Sequence, residues 1–181
     1  MKLLATDLAN LFVIEPEVYG DDRGFFMESW SSRTFAELGL DVTFAQDNHS
    51  RSASGVLRGI HYQIRNPQGK LVRVTAGRVF DVAVDLRRSS PTFGKWFGTE
   101  LSGKNKRMLW VPPGFGHAFL SLADDTDFLY KCSGLYSPDD ERCIAWNDPD
   151  LGIEWPAEVP APTVSARDRK GVFLRNAEVY P

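Results

Sequence analysis

"RVFDVAVDLR", residues 78–87, carries a clean alternation. Phe80, Val82, Val84 and Leu86 share one face of an extended segment, and Val79, Asp81, Ala83 and Asp85 share the other. Successive side chains of a strand point to opposite faces, so a period of two predicts a β-strand here. Upstream, "KLVRVTA" (70–76) repeats the pattern, with Lys70, Val72 and Val74 on one face. Before it come the turn Asn66-Pro67-Gln68-Gly69 and the run "GVLRGIHYQ" (55–63). Downstream lie "KWFGTELS" (95–102), "KRMLWVPP" (106–113), "GHAFLSLA" (116–123) and "TDFLYKCSGLY" (126–136). The N-terminal part adds "LFVIEPEVY" (11–19), "FFMESW" (25–30) and "VTFAQDNHS" (42–50). "RTFAELGL" (33–40) is the best short helix, with Gly39 as its stop. Many short strands divided by Gly, Pro and Asp turns predict an all-β sandwich or barrel. The Pro-rich stretch from residue 150 to 181 predicts an irregular wrap over it, all within one domain spanning 1–181.

Composition sets limits on function. The 181 residues carry 21 basic and 24 acidic side chains, a net charge of −3. That balance argues against a nucleic-acid binder, which needs a basic field. A local cluster of Arg and Lys can still take a small anion. Cys132 and Cys143 are the only cysteines and read as buried thiols rather than a disulfide. The N-terminal run is broken by Asp7 and Asn10, too short and polar for a signal peptide or membrane span, so a cytoplasmic location is expected.

Three histidines are candidates for chemistry. His61 sits among apolar residues, with Arg58 on its own segment and Lys70 beyond the turn. Cations beside a histidine do not belong in apolar core, because buried charge needs a partner. Strict alternation puts Arg58 and His61 on opposite faces; a bulge at Gly59 would bring them together. His117 follows the bend "WVPPGFG". The spacing Pro112-x-Gly114-x-x-His117 resembles the second signature of the cupin superfamily, whose fold is a jelly roll. The place of that superfamily's His-x-His metal pair reads His61-Tyr62-Gln63 here, a poor donor set for a divalent ion. A barrel of cupin shape without metal is therefore expected, with a histidine free to act as a base. His49, in the polar run "FAQDNHSRS", reads either as a solvated loop residue or as a ligand contact. Asp81 reads as a solvated acid or as the partner of Lys70. Tyr130 and Asp168 are unremarkable alone.

The blocks "RGFFMESW", "QDNHSRS", "GVLRGIHYQ", "QGKLVRV", "GRVFDVAVDLR", "SPTFGKW", "WVPPGFGHAF", "FLYKC", "WNDPDLGIEWP" and "SARDR" follow one another in this order. Together they resemble the dTDP-4-dehydrorhamnose 3,5-epimerase family over nearly the whole chain. The resemblance implies a cupin-type jelly roll with a few short helices, a homodimer, and no metal or organic cofactor. It implies that His61 is the base, Asp168 its orienting carboxylate and Tyr130 the acid on the opposite sugar face. Lys70 would steady the enolate oxygen, with Asp81 beside it. It further implies substrate contacts from Arg23, Glu28, Gln46, Asn48, Arg58, His117, Tyr136, Glu141 and Arg167, with Phe25 or Phe26 stacking on thymine. Arg23 and Glu28 would serve the partner's site. Leu135 stands where the family often has the first of two tyrosines, and "GFGHAF" replaces "GFAHGF". Related enzymes that epimerise one carbon only are the alternative.

Overall fold

Alternating runs pair into two facing sheets in the computed structural model, which describes residues 1–181. The strands, in chain order, are β1 (Lys2–Ala5), β2 (Phe12–Glu15), β3 (Val18–Asp21), β4 (Gly24–Met27), β5 (Gln46–Ser52), β6 (Val56–Gln63) and β7 (Lys70–Ala76). They continue as β8 (Arg78–Asp85), β9 (Trp96–Ser102), β10 (Met108–Val111), β11 (Phe115–Ser121), β12 (Thr126–Cys132), β13 (Glu141–Cys143) and β14 (Thr163–Val164). One sheet has the order β1-β2-β10-β7-β12-β5; the other runs β13-β6-β11-β8-β9, with β14 beside β6. β3 and β4 form a separate hairpin. Consecutive strands β6, β7 and β8 alternate between the sheets, which makes a jelly-roll sandwich.

The alternation in 78–87 decides what covers what. Val79 and Ala83 face the space between the sheets, packed with Val72, Val74, Leu109, Phe115, Phe119 and Phe128. Val82, Val84 and Leu86 face outward and are covered by the C-terminal segment through Leu151, Ala177 and Tyr180. The expected wrap is thus a second apolar layer, tied down by Tyr62 donating to the Glu178 carbonyl at 2.6 Å and Tyr180 to that of Gln63 at 2.7 Å. Behind the first sheet, Phe35 of the single α-helix α1 (Ser32–Glu37) packs on Ile14, Leu71, Met108 and Trp110. Ser31 caps that helix, and Gly39 ends its last turn at a φ of 86°.

Some boundaries differ from the sequence-based expectation. The run 11–19 divides into β2 and β3 around Pro16, which has no N–H to give a ladder. Residues 42–45 are not strand, and β5 begins at Gln46. Both cysteines are free; Cys132 is buried and Cys143 half-buried. No helix is long and apolar enough to cross a membrane.

Candidate active site

A cavity of about 520 Å³ opens between the sheets, lined by Arg58, His61, Lys70, His117, Tyr130 and Asp168 among others. A second hollow of about 280 Å³ also touches His61, Lys70 and Tyr130. The two form one cleft with those three side chains at its waist. Lys70 and Tyr130 come from β7 and β12 of one sheet, and His61 from β6 of the other. Imidazole and phenol therefore line the cleft from opposite sheets. Phe119 and Phe128, stacked at 4.1 Å, line the apolar side of the larger hollow.

The bulge at Gly59 is present. On β11, His117 and Phe119 are two residues apart, yet their partners on β6 are His61 and Arg58, three apart. The extra residue turns Arg58 to the same side as His61. Gly59 has a φ of 120°, and a Cβ there would lie 2.5 Å from the Ala118 Cβ. Only glycine fits.

His61 Nε2 lies 2.7 Å from Asp168 Oδ1. Asp168 opens a short 3-10 helix (Asp168–Lys170), and its backbone N–H donates to Ser165 Oγ at 3.0 Å. Burial pushes the Asp168 carboxyl up, but hydrogen bonds from His61, Ser165 and the Gly59 backbone outweigh this and hold it below its ordinary value. It is a buried carboxylate kept ionised by the imidazole it orients. Cys143 stands nearby, and burial and the Asp168 charge push its thiol up to about 12.

A second pair lies deeper. His117 Nε2 is 2.9 and 3.1 Å from the two Asp81 oxygens. Asp81 is fully buried and does not line the cleft. This corrects one expectation: Asp81 forms its ion pair with His117 and not with Lys70. Lys70 and Asp81 lie on different sheets; Phe119 is the direct ladder partner of Asp81, and His117, two residues before it on β11, reaches diagonally to take the carboxylate. Lys70 is left without a salt bridge. Burial lowers its pKa, opposed by the nearby Cys132 and Asp81. Burial also raises the pKa of Tyr130.

β5 alternates as a strand should. Gln46 and Asn48 turn into the smaller hollow and Ser50 into the larger. His49 turns outward, where it and Arg51 bind Asp127, with His49 Nε2 3.0 Å from Oδ1. It belongs to a surface ion-pair cluster.

At the mouth, Tyr136 and Arg167 both reach the Glu141 carboxylate. These three line the cleft but bind one another. Arg23, Phe25, Phe26 and Glu28 do not join it: the first three belong to the β3–β4 hairpin, Glu28 follows it, and all four are exposed. Arg23 pairs with Asp21. Ser165, Phe119 and Phe128 line the cleft without having been singled out. The two phenylalanines were findable, because they alternate with His117 and Tyr130. Nothing in "SARDR" marks Ser165.

Known proteins resemble this chain in sequence and in fold. The sequence profile of dTDP-4-dehydrorhamnose 3,5-epimerase matches residues 5–176. The dTDP-4-dehydrorhamnose 3,5-epimerase of Pseudomonas aeruginosa is 55% identical over 100% of both chains. The crystal structure of dTDP-6-deoxy-D-glucose-3,5-epimerase from Legionella pneumophila, in complex with dTDP-4-keto-L-rhamnose, superposes with a TM-score of 0.94. It is 48% identical and covers 98% of this chain and 94% of its own. A 3'-monoepimerase from Streptomyces bikiniensis, in complex with dTDP-quinovose, is more distant: 36% identity and a TM-score of 0.89, over 95% of this chain and 87% of its own.

Proposed function

The chain belongs to the dTDP-4-dehydrorhamnose 3,5-epimerase family, and from that premise we propose how its cleft performs the reaction. The enzyme is a carbohydrate isomerase of dTDP-L-rhamnose biosynthesis. It inverts C3 and C5 of dTDP-4-dehydro-6-deoxy-D-glucose and yields dTDP-4-dehydro-L-rhamnose. The observation that carries the reading is the placement of His61 and Tyr130 on facing sheets, with Lys70 beside Tyr130's strand.

The ketone at C4 acidifies the C–H bonds on both sides of it. Asp168 accepts the Nε2–H of His61, which leaves the lone pair on Nδ1 to take the proton. The electron pair moves into an enolate at O4. Lys70, unpaired in the cleft, supplies positive charge where that oxygen becomes negative. Tyr130 then protonates the carbon from the other face, which inverts it. His61 then gives its proton to solvent and Tyr130 takes one up, and the same cycle serves the second carbon. Arg58 has no carboxylate partner; it bonds Ser52 and the Arg51 carbonyl and presents its guanidinium at the cleft for a phosphate oxygen. Arg167 does the same once Glu141 releases it.

Residues 1–181 act as one domain, with 150–181 as its C-terminal wrap, and the enzyme works as a homodimer in the cytoplasm. The β3–β4 hairpin supports the dimer. It holds Tyr19, Phe25 and Phe26 exposed at 58, 61 and 70%. Such an apolar arm calls for cover, and a partner's cleft would place Arg23, Phe25, Phe26 and Glu28 where the nucleotide lies. Light scattering should give twice 20.3 kDa.

Turnover in heavy water, followed by NMR with the 4-keto substrate, tests the function. Deuterium should enter at C3 and C5. Entry at one carbon makes the enzyme a mono-epimerase, and entry at neither removes the proposal.

A further inference from the structure

Cys143 takes no part in the reaction described, yet it stands beside the base. It is the Cα partner of His61 in the β13–β6 pair, so the two side chains leave the sheet on one face. A ring nitrogen of His61, the Cys143 Sγ and an Asp168 carboxylate oxygen all lie within 4.8 Å of one another. We propose that these three side chains form an inhibitory site for a thiophilic divalent cation of the zinc class.

Imidazole, thiolate and carboxylate are the donor types zinc takes, at about 2.0–2.3 Å. Donors on one tetrahedral ion are then roughly 3.5 Å apart, so the 2.7 Å His61–Asp168 hydrogen bond opens and Cys143 draws in, each by about 1 Å. Three protein donors leave a fourth position for water. His61 is 27% exposed, which gives the ion a way in. Binding displaces the thiol proton to solvent as the sulfur–metal bond forms, and nothing is oxidised or reduced. With the cation on Nε2, the proton that Nε2 gave to Asp168 moves to Nδ1, and no lone pair remains to attack a C–H bond. The thiolate sets the selectivity: soft and borderline ions bind, whereas magnesium and calcium, which prefer oxygen, do not. The inhibitory part of this inference rests on His61 being the base; the binding part does not.

Two measurements on the full chain test it. Cadmium chloride is titrated while the ultraviolet sulfur-to-cadmium charge-transfer band is followed. Zinc chloride is titrated against deuterium exchange into the 4-keto substrate. The band should appear in the wild type and vanish in Cys143→Ala. Zinc should inhibit exchange, a chelator should restore it, and magnesium should have no effect. Cys143→Ser and Cys143→Ala should keep exchange while raising the inhibitory zinc concentration at least about tenfold. No band, or a band and inhibition unchanged in both variants, overturns the site. A band lost with Cys143 in a protein that exchanges no proton upholds the site and overturns the epimerase reading instead.

Discussion

His61 and His117 are directly paired across β6 and β11, and each is bound through Nε2 to a different aspartate. The pairs differ in what surrounds them. His117 is 8% exposed and Asp81 fully buried, whereas His61 is 27% exposed at the waist of the cleft. Both imidazoles line the cleft, but the His61 pair is the more open of the two. Asp168→Asn keeps the shape but no longer enforces the tautomer that frees Nδ1. It should lower kcat by roughly 10²–10⁴ with little change in KM. Steady-state kinetics checks this, and an unchanged kcat would remove Asp168 from the mechanism.

Tyr130 and His61 act on opposite faces, so their losses should be distinguishable. Tyr130→Phe leaves the base able to remove a proton and return a deuteron to the same face. Exchange in heavy water should persist while inversion is lost. His61→Ala should abolish exchange at both carbons and still bind dTDP. NMR of the recovered sugar separates the outcomes; inversion at the wild-type rate in Tyr130→Phe would clear the phenol of its role.

The alkaline limb of the rate profile should belong to Lys70. Its ammonium is needed at O4, and burial lowers its pKa, so charge is lost below the ordinary lysine range as pH rises. Tyr130 is shifted the other way and stays protonated over that interval. Lys70→Arg should move the limb to higher pH, because guanidinium stays charged. A limb at the same pH in that variant assigns it to another group.

Gly59→Ala tests the bulge. The new methyl meets Ala118 at 2.5 Å in a backbone conformation that favours glycine. We expect a loss of about 3 kcal/mol or more in urea unfolding, with activity falling as Arg58 and His61 separate. Near-wild-type stability would mean that β6 tolerates another path.

Asp85 predicts the acid stability of the fold. It is fully buried and accepts from Arg87, Ser90 and Thr92 at 2.6–2.8 Å. Burial pushes its pKa up, but those donors win and bring it to about 2, from 3.8. A depressed carboxylate stabilises the fold above its unfolded pKa and loses that contribution as pH falls through the folded one. The shift corresponds to about 2 kcal/mol, lost between pH 4 and 2. Asp85→Asn should be less stable at pH 7 by a similar amount, with a shallower decline in acid. A parallel decline in both proteins would assign the acid sensitivity elsewhere.

Much of this was legible in the residues. Alternation in 70–76 and 78–87 sorted the side chains by face and left the inward face open, and the clash between that alternation and the pairing of Arg58 with His61 pointed to Gly59. What could not be read was which strands are neighbours. Lys70 and Asp81 lie on consecutive strands, but the chain crosses between sheets at Gly77, and the carboxylate goes to His117. Asp168 lies 107 residues beyond His61, and no local pattern brings it there; only the family resemblance suggested the pair. The resemblance gave Arg23, Phe25, Phe26 and Glu28 to a substrate, whereas in this subunit the β3–β4 hairpin stands apart from the cleft.

The oriented imidazole is completed by a carboxylate from a segment far along the chain. A ribosome emits β6 early, and His61 waits unoriented until the polypeptide around residue 168 has emerged and docked. The imidazole and the carboxylate that holds it are thus made 107 residues apart, and the pair can form only after both have left the ribosome.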